Sequence, residues 1–245
     1  MKVLVVSDVH ANIAALNTIL EKEADYDILC YTDYGIYPAE VIERFRNLKN
    51  THLVYGNHDL HVINTYESKE WKNVEDGKYK WVHYNCEQLN NQGIRWLKQL
   101  PETAYFEADG WKYGIAHQYD SGYGTIESRY AFDKYWAEHY GTDNTGNRRL
   151  IFGHTHRQCI HILGDGMEWL NPGSASYRRP DDPDKTAHYA TITDGEIRLK
   201  QIPYDRKPQF EKAKEFISTD KMMRTEIQDF MFFFGDAKTS REPLG

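Results

Sequence analysis

The chain opens on Lys2-Val3-Leu4-Val5-Val6, a short apolar run rich in β-branched residues. Such a run predicts a buried strand. Ser7-Asp8-Val9-His10 follows it. Ile13, Leu16, Ile19 and Leu20 then recur at helical spacing, with Glu21, Lys22 and Glu23 beyond them, so a helix of about three turns is expected, with Asn12 as its cap. The alternation repeats. Residues 26–31 form a second strand-like run, followed by Thr32-Asp33-Tyr34-Gly35. Residues 38–48 read as a helix with Pro38 at its start, where a missing N–H is tolerated. Residues 51–55 form a third short strand that ends in Gly56-Asn57-His58-Asp59. This βαβαβ rhythm predicts a parallel or mixed sheet covered by helices.

Residues 60–100 are polar, rich in Lys, Glu, Asn, Trp and Tyr, and helical in pattern, with 84–100 reading as a helix that stops at Pro101. They are read as a helical cap inserted over the mouth of the site, not as a separate domain; a plain surface helix pair is the alternative. From residue 104 the β pattern returns. Asp109-Gly110, Gly164-Asp165-Gly166 and Asp194-Gly195 each separate two strand-like runs and predict hairpins. A helix is expected over 128–140. A strand over 149–152 ends in Gly153-His154-Thr155-His156. The second half therefore reads as a run of antiparallel strands. Residues 1–205 are taken as one domain and 206–245 as a helical tail with one helix-like run. Its apolar stretch, residues 230–234, is expected to dock on the body or to pair with a second copy, and residues 236–245 to be disordered.

Composition narrows the function. Of 245 residues, 37 are acidic and 30 basic, a formal charge of −7. That argues against a general nucleic-acid binder held by a basic surface. Three widely spaced cysteines, with no CxxC pair, support neither a disulfide framework nor a zinc ribbon. There is no signal peptide and no apolar run long enough to span a bilayer, and the first strand starts at once, so a cytoplasmic protein with no membrane partner is expected. The many aromatics are read as core and half-buried surface. Tyr119 and Tyr123 are candidates for stacking on a base, although core or surface aromatics are commoner.

Five polar clusters each follow a strand-like run: Asp8/His10, Asp33, Asn57/His58/Asp59, His117 and His154/His156. Strand ends of α/β sheets face a common crevice. Oxygen and imidazole donors without a thiolate suit manganese, iron, zinc or cobalt, and are too nitrogen-rich for calcium. So many donors exceed one tetrahedral ion and suit two ions sharing a carboxylate. Two metals about 3.5–4 Å apart clamp a phosphoryl group and acidify a bridging water. For His52, His61, His83, His139, His161 and His188 a structural or surface role is the default, with His61 and His83 placed to line the cap.

In order, Asp8-Val9-His10, Asp33, Gly56-Asn57-His58-Asp59, His117 and Gly153-His154-Thr155-His156, continued through Asn171-Pro172-Gly173-Ser174, resemble the motifs of the calcineurin-like metallophosphoesterases. In substrate class the chain is similar to the small bacterial predicted phosphodiesterases and the diadenosine-tetraphosphatase-like enzymes. The resemblance implies a four-layer αββα sandwich of two mixed sheets flanked by helices. It implies that Asp8, His10 and His156 hold one metal, that Asn57, His117 and His154 hold the other, and that Asp33 bridges them. The cofactors implied are two divalent or trivalent transition-metal ions, manganese first, with iron, zinc, cobalt or nickel as substitutes. His58 would stabilise the phosphate or act as general acid. A bridging hydroxide would attack phosphorus in a small phosphodiester or nucleotide. Two positions depart from the family: Thr32 replaces its usual glycine, and Ile36 replaces a frequent aspartate, which leaves Asp59 as the residue expected to orient His58. Arg178 or Arg179 is a candidate for the substrate phosphate, since Arg matches its geometry. A protein serine/threonine phosphatase, a non-catalytic scaffold of the same fold and a nuclease are the alternatives. The cap argues against the first, the filled ligand positions against the second and the acidic charge against the third.

Overall fold

β1 (Lys2–Val5) occupies the middle of a sheet, which is why its side chains are apolar on both faces: Val3, Leu4 and Val5 are all buried. The computed structural model describes residues 1–31, 37–164, 166–176, 184–217 and 221–236. After β1, α1 (Ile13–Lys22) starts where the Asn12 side chain accepts the Ala15 N–H at 3.1 Å. It buries Ala15, Leu16, Ile19 and Leu20. β2 (Ile28–Tyr31), α2 (Pro38–Arg46) and β3 (Thr51–Leu53) complete the first half. β1 pairs parallel with β2, and β2 with β3. α1 and α2 pack on one face of these strands through Leu16, Ile19, Val41 and Phe45.

The cap region holds α3 (Asn57–Ser68), a 3-10 turn (Glu70–Asn73), α4 (Trp81–Gln88) and α5 (Asn91–Leu97). The single helix expected over 84–100 is thus two. Leu89 leaves helical geometry at φ −86°, ψ 129°, and the Asn90 side chain accepts the N–H groups of Gln92 and Gly93, which starts a new helix. Val62, Ile63, Val82, Cys86, Ile94 and Leu97 form a small core of their own, seated on Ile42 of α2.

β4 (Thr103–Ala108), β5 (Trp111–Ala116), α6 (Arg129–Tyr140), β6 (Asn147–Ile151), β7 (Cys159–Gly164), β8 (Met167–Asn171), β9 (Ala187–Thr193) and β10 (Glu196–Ile202) follow. Among the described residues the strands form two five-stranded sheets, ordered β10-β9-β1-β2-β3 and β4-β5-β6-β8-β7. The second half is not a run of antiparallel strands. β5–β6 and β6–β8 are parallel pairs, because the segment carrying α6 returns the chain to the starting end of β5. β9 crosses to the first sheet and lies antiparallel beside β1. The sheets face each other across Val3, Val5 and Ile192 on one side and Tyr113, Ile115, Ile151 and Leu170 on the other. α6 covers the outer face of the second sheet with Phe132, Tyr135 and Trp136. The protein is a mixed α/β fold of two sheets flanked by helices.

The tail contains two helices, α7 (Lys207–Ile217) and α8 (Arg224–Phe234), where one was expected. Ile227, Phe230 and Phe234 pack with Ala213 and Met222 on Tyr79, so this apolar run docks on the cap of its own chain. Arg206 donates to the Phe234 carbonyl at 2.9 Å, satisfying an end of α8 that has no helical partner. The disorder expected at the end of the chain concerns residues 237–245, which lie outside the described residues, and Asp236 just before them. Among the described residues no helix is long and apolar enough to cross a membrane.

Candidate metal centre

Two turns build the site. Asp8, His10 and Ala11, just after β1, have φ of 51°, 44° and 45°, and His154 and His156, after β6, have φ of 64° and 59°. Side chains other than glycine are uncommon in this left-handed region, and each such residue costs on the order of 1 kcal/mol. The turns hold each other in place. The His154 N–H donates to Asp8 Oδ1 and Oδ2 at 3.2 and 3.1 Å. The Ser7 hydroxyl donates to Asp8 Oδ2. Ser174 Oγ donates to the Asp8 carbonyl at 2.8 Å, and Asn171 Nδ2 donates to the Gly153 carbonyl at 2.6 Å. The Asn171-Pro172-Gly173-Ser174 turn therefore forms the back of the site. Gly153 leaves room for both side chains: a Cβ would lie 1.9 Å from Ser7 Oγ and 2.7 Å from Asp8 Oδ2 and would force them to move.

The donors fall into two sets. Asp8, His10 and His156 each bring one donor atom within 4.8 Å of the others. His10 Nε2 lies 3.1 Å from His156 Nε2, which lies 3.4 Å from Asp8 Oδ1. In the second set, Asn57 Oδ1 is 2.7 Å from His117 Nε2 and 3.2 Å from His154 Nδ1. Asp8 joins them, its Oδ1 being 4.0 Å from His117 Nε2. Asn57 reaches the site because it opens α3 straight after the extended Gly56.

Burial pushes His117 down to about 4 and His58 down to about 3. It also lowers His10, helped by the neighbouring His156 and His58, and lowers His154. Burial pushes Asp8 up, but the imidazoles of His156, His117 and His10 outweigh it and hold the carboxyl well below the usual range. An anionic Asp8 beside His10, His117 and His154, whose pKa values burial lowers, matches the protonation state a divalent cation requires of its ligands. Both donor sets fit such an ion in chemistry and in spacing.

His58 stands beside the first set, its ring 5.1 Å from that of His10. Asp59 does not orient it by contact. The Asp59 carboxylate accepts the Gly56 N–H at 2.8 Å and so caps α3, lining a small apolar cavity with Ala11, Phe45 and Trp96. Burial raises its pKa. Asp33, Arg178 and Arg179, together with Thr32 and Ile36, lie outside the described residues. His61 sits edge-on to Trp81, and His83 Nδ1 accepts the Lys80 N–H at the start of α4. His52 stacks on Phe106, His161 on Trp169, His139 meets Tyr135, and His188 pairs with Asp184. Sequence reasoning passed over Trp81, whose ring stacks on His58 at 5.4 Å; its signal was only a large aromatic in an otherwise polar cap.

The calcineurin-like phosphoesterase superfamily domain matches residues 1–195. The uncharacterized protein MJ0912 of Methanocaldococcus jannaschii is 29% identical over 235 residues, covering 86% of this chain and 90% of its own. A metallophosphoesterase from Sphaerobacter thermophilus superposes with a TM-score of 0.66 at 19% identity, covering 94% of this chain and 98% of its own. The hypothetical protein PH1004 from Pyrococcus horikoshii OT3 superposes with a TM-score of 0.68 at 18% identity, covering 97% and 99%. These two structures share the fold described above.

Proposed function

The chain belongs to the calcineurin-like phosphoesterase superfamily, and we propose that it hydrolyses a small phosphodiester or nucleotide with two transition-metal ions as cofactors. The observation that carries this reading is the pair of donor sets, Asp8/His10/His156 and Asn57/His117/His154, meeting at the Asp8 carboxylate. Each set would hold one ion, with Asp33 between them. Manganese suits these donors, as do iron, zinc, cobalt and nickel. When bound, such ions polarise phosphoryl oxygens and acidify water.

The chain's own residues supply the rest. His58 is neutral at neutral pH, so its ring N–H can donate to a phosphoryl oxygen or to the departing oxygen. Asp8 is held by Ser7, His154 and the Ser174 turn, so its donor atoms are in place before substrate arrives. Arg178 or Arg179 would add charge for the substrate phosphate.

The test is metal content of the purified protein, followed by hydrolysis of bis-p-nitrophenyl phosphate and p-nitrophenyl phosphate with Mn²⁺ added. About two ions per chain and a preference for the diester are expected. His58→Ala should keep the ions and lose about 100-fold in rate. The proposal fails if Asp8→Asn and His58→Ala both hydrolyse the diester as fast as the unaltered protein.

A further inference from the structure

We infer that Tyr123 is a specificity residue: its ring receives a planar aromatic group, of the size of a nucleobase, carried by the ester. This rests on the phosphoesterase reading above and names the class of substrate for that site. The Tyr123 ring lies flat against His154, with centroids 4.9 Å apart and planes 12° apart, yet Tyr123 is 64% exposed. Among the large hydrophobic residues exposed in the described part of the chain, it alone stacks on a candidate metal ligand. Its neighbour Tyr119 packs against Tyr135 and Phe152 instead of a metal-ligand candidate.

The loop presenting Tyr123 is fixed. Asp120 Oδ1 accepts the Gly122 N–H at 2.9 Å and the Gly124 N–H at 3.2 Å. A Cβ on Gly124 would lie 2.1 Å from Asp120 Oδ2 and would push the carboxylate away from these N–H groups. A ring held by its own loop loses little freedom when a ligand stacks on it. The His154 stack sets the ring at the edge of the Asn57/His117/His154 set, within reach of a group attached to a phosphate held there. Base–aromatic stacking accepts any base, because every base has a π-face. Tyr123 therefore selects for an aromatic group without selecting which.

A purely structural Tyr123 would steady the His154 ring and affect metal instead. The two roles separate in Tyr123→Ala and Tyr123→Phe, assayed with Mn²⁺ on the p-nitrophenyl ester of thymidine 5′-monophosphate and on glycerophosphoglycerol, which has no aromatic ring. In Tyr123→Ala the preference in kcat/KM for the thymidine ester should fall about five- to tenfold, chiefly through KM, and Tyr123→Phe should restore it. Metal content by mass spectrometry should stay that of the unaltered protein. An unchanged preference, with or without loss of metal, would overturn the inference. If the unaltered protein hydrolyses neither ester, the phosphoesterase reading fails on its own. Equilibrium dialysis of thymidine 5′-monophosphate then decides on Tyr123: weaker binding by Tyr123→Ala supports the inference, and equal or absent binding to both proteins overturns it.

Discussion

The indole of Trp81 and the imidazole of His58 lie nearly parallel, 11° apart, with ring centroids separated by 5.4 Å. His10 crowds the same imidazole at 5.1 Å and 52°. A ring confined by two others keeps its plane, so Trp81, the first residue of α4, sets the direction of the His58 N–H. Trp81→Leu is expected to lower kcat about tenfold while KM and bound metal hold steady, because a misdirected donor costs rate more than binding. Trp81→Phe should recover most of the loss. Equal losses in both variants would mean that the cap has merely loosened.

The tail reaches the same residue. The Trp81 backbone N–H donates to Glu226 Oε2 at 3.3 Å, in the first turn of α8, and α8 is anchored by Phe230, which is 4% exposed. Phe230→Ala should cost about 3–4 kcal/mol in urea unfolding. It should also lower activity by more than the loss of folded protein explains, since α8 supports the start of α4. Activity that tracks the folded fraction alone would separate the tail from the site.

Much of this was legible in the chain because donor residues at strand ends need only the strands to be recognised. Lys2 to Val5 and the short run Leu150 to Phe152 are apolar enough for that, and the turns that follow them carry Asp8, His10, His154 and His156. The roles of Asp59 and Trp81 were not legible. Asp59 sits beside His58 in sequence, but an N-terminal helical turn sends successive side chains about 100° apart, and the free Gly56 N–H claims the carboxylate. Trp81 meets His58 across a gap of more than twenty residues, and local pattern contains no such information. The break between α4 and α5 was missed because Asn90 reads equally as a polar helix position and as a cap. The parallel pairing of β5 with β6 depends on where the α6 segment returns, which hairpin signals do not reveal.

A charge cluster far from the site should govern acid stability. Glu23 is buried and joined to Lys2 and Lys200 at 2.8 Å each and to the Tyr189 hydroxyl at 2.8 Å. Burial pushes its pKa up, but these three partners outweigh it, and the net shift is downward from 4.5. A carboxyl whose folded-state pKa is depressed stabilises the fold above its unfolded value and loses that contribution as pH falls towards the folded one. Glu23→Gln should therefore cost about 1–3 kcal/mol at pH 7 and less at pH 3.5, in urea unfolding at both. A cost independent of pH would show that packing, not ionisation, is what the carboxylate contributes.

Gly153 tests the centre without removing a single donor. Its N–H donates to the His117 carbonyl at 2.8 Å, and its missing Cβ leaves room for Ser7 and Asp8. Both donor sets thus depend on this one residue staying small. Gly153→Ala forces Ser7 Oγ and the Asp8 carboxylate to move, which should cost about 1–3 kcal/mol in the metal-free protein through overpacking. It should also blunt the response to metal. At 100 times the dissociation constant, Mn²⁺ stabilises the unaltered fold by about 2.7 kcal/mol per site, and a variant whose Asp8 is displaced should show less than half of the total shift in thermal unfolding. His156→Ala, which deletes a donor of the first set, sets the scale for the loss of that set. If Gly153→Ala melts with the same Mn²⁺-induced shift as the unaltered protein, Asp8 is not held in place by this contact, and the positions of the two turns must be fixed by the Asn171 and Ser174 hydrogen bonds instead.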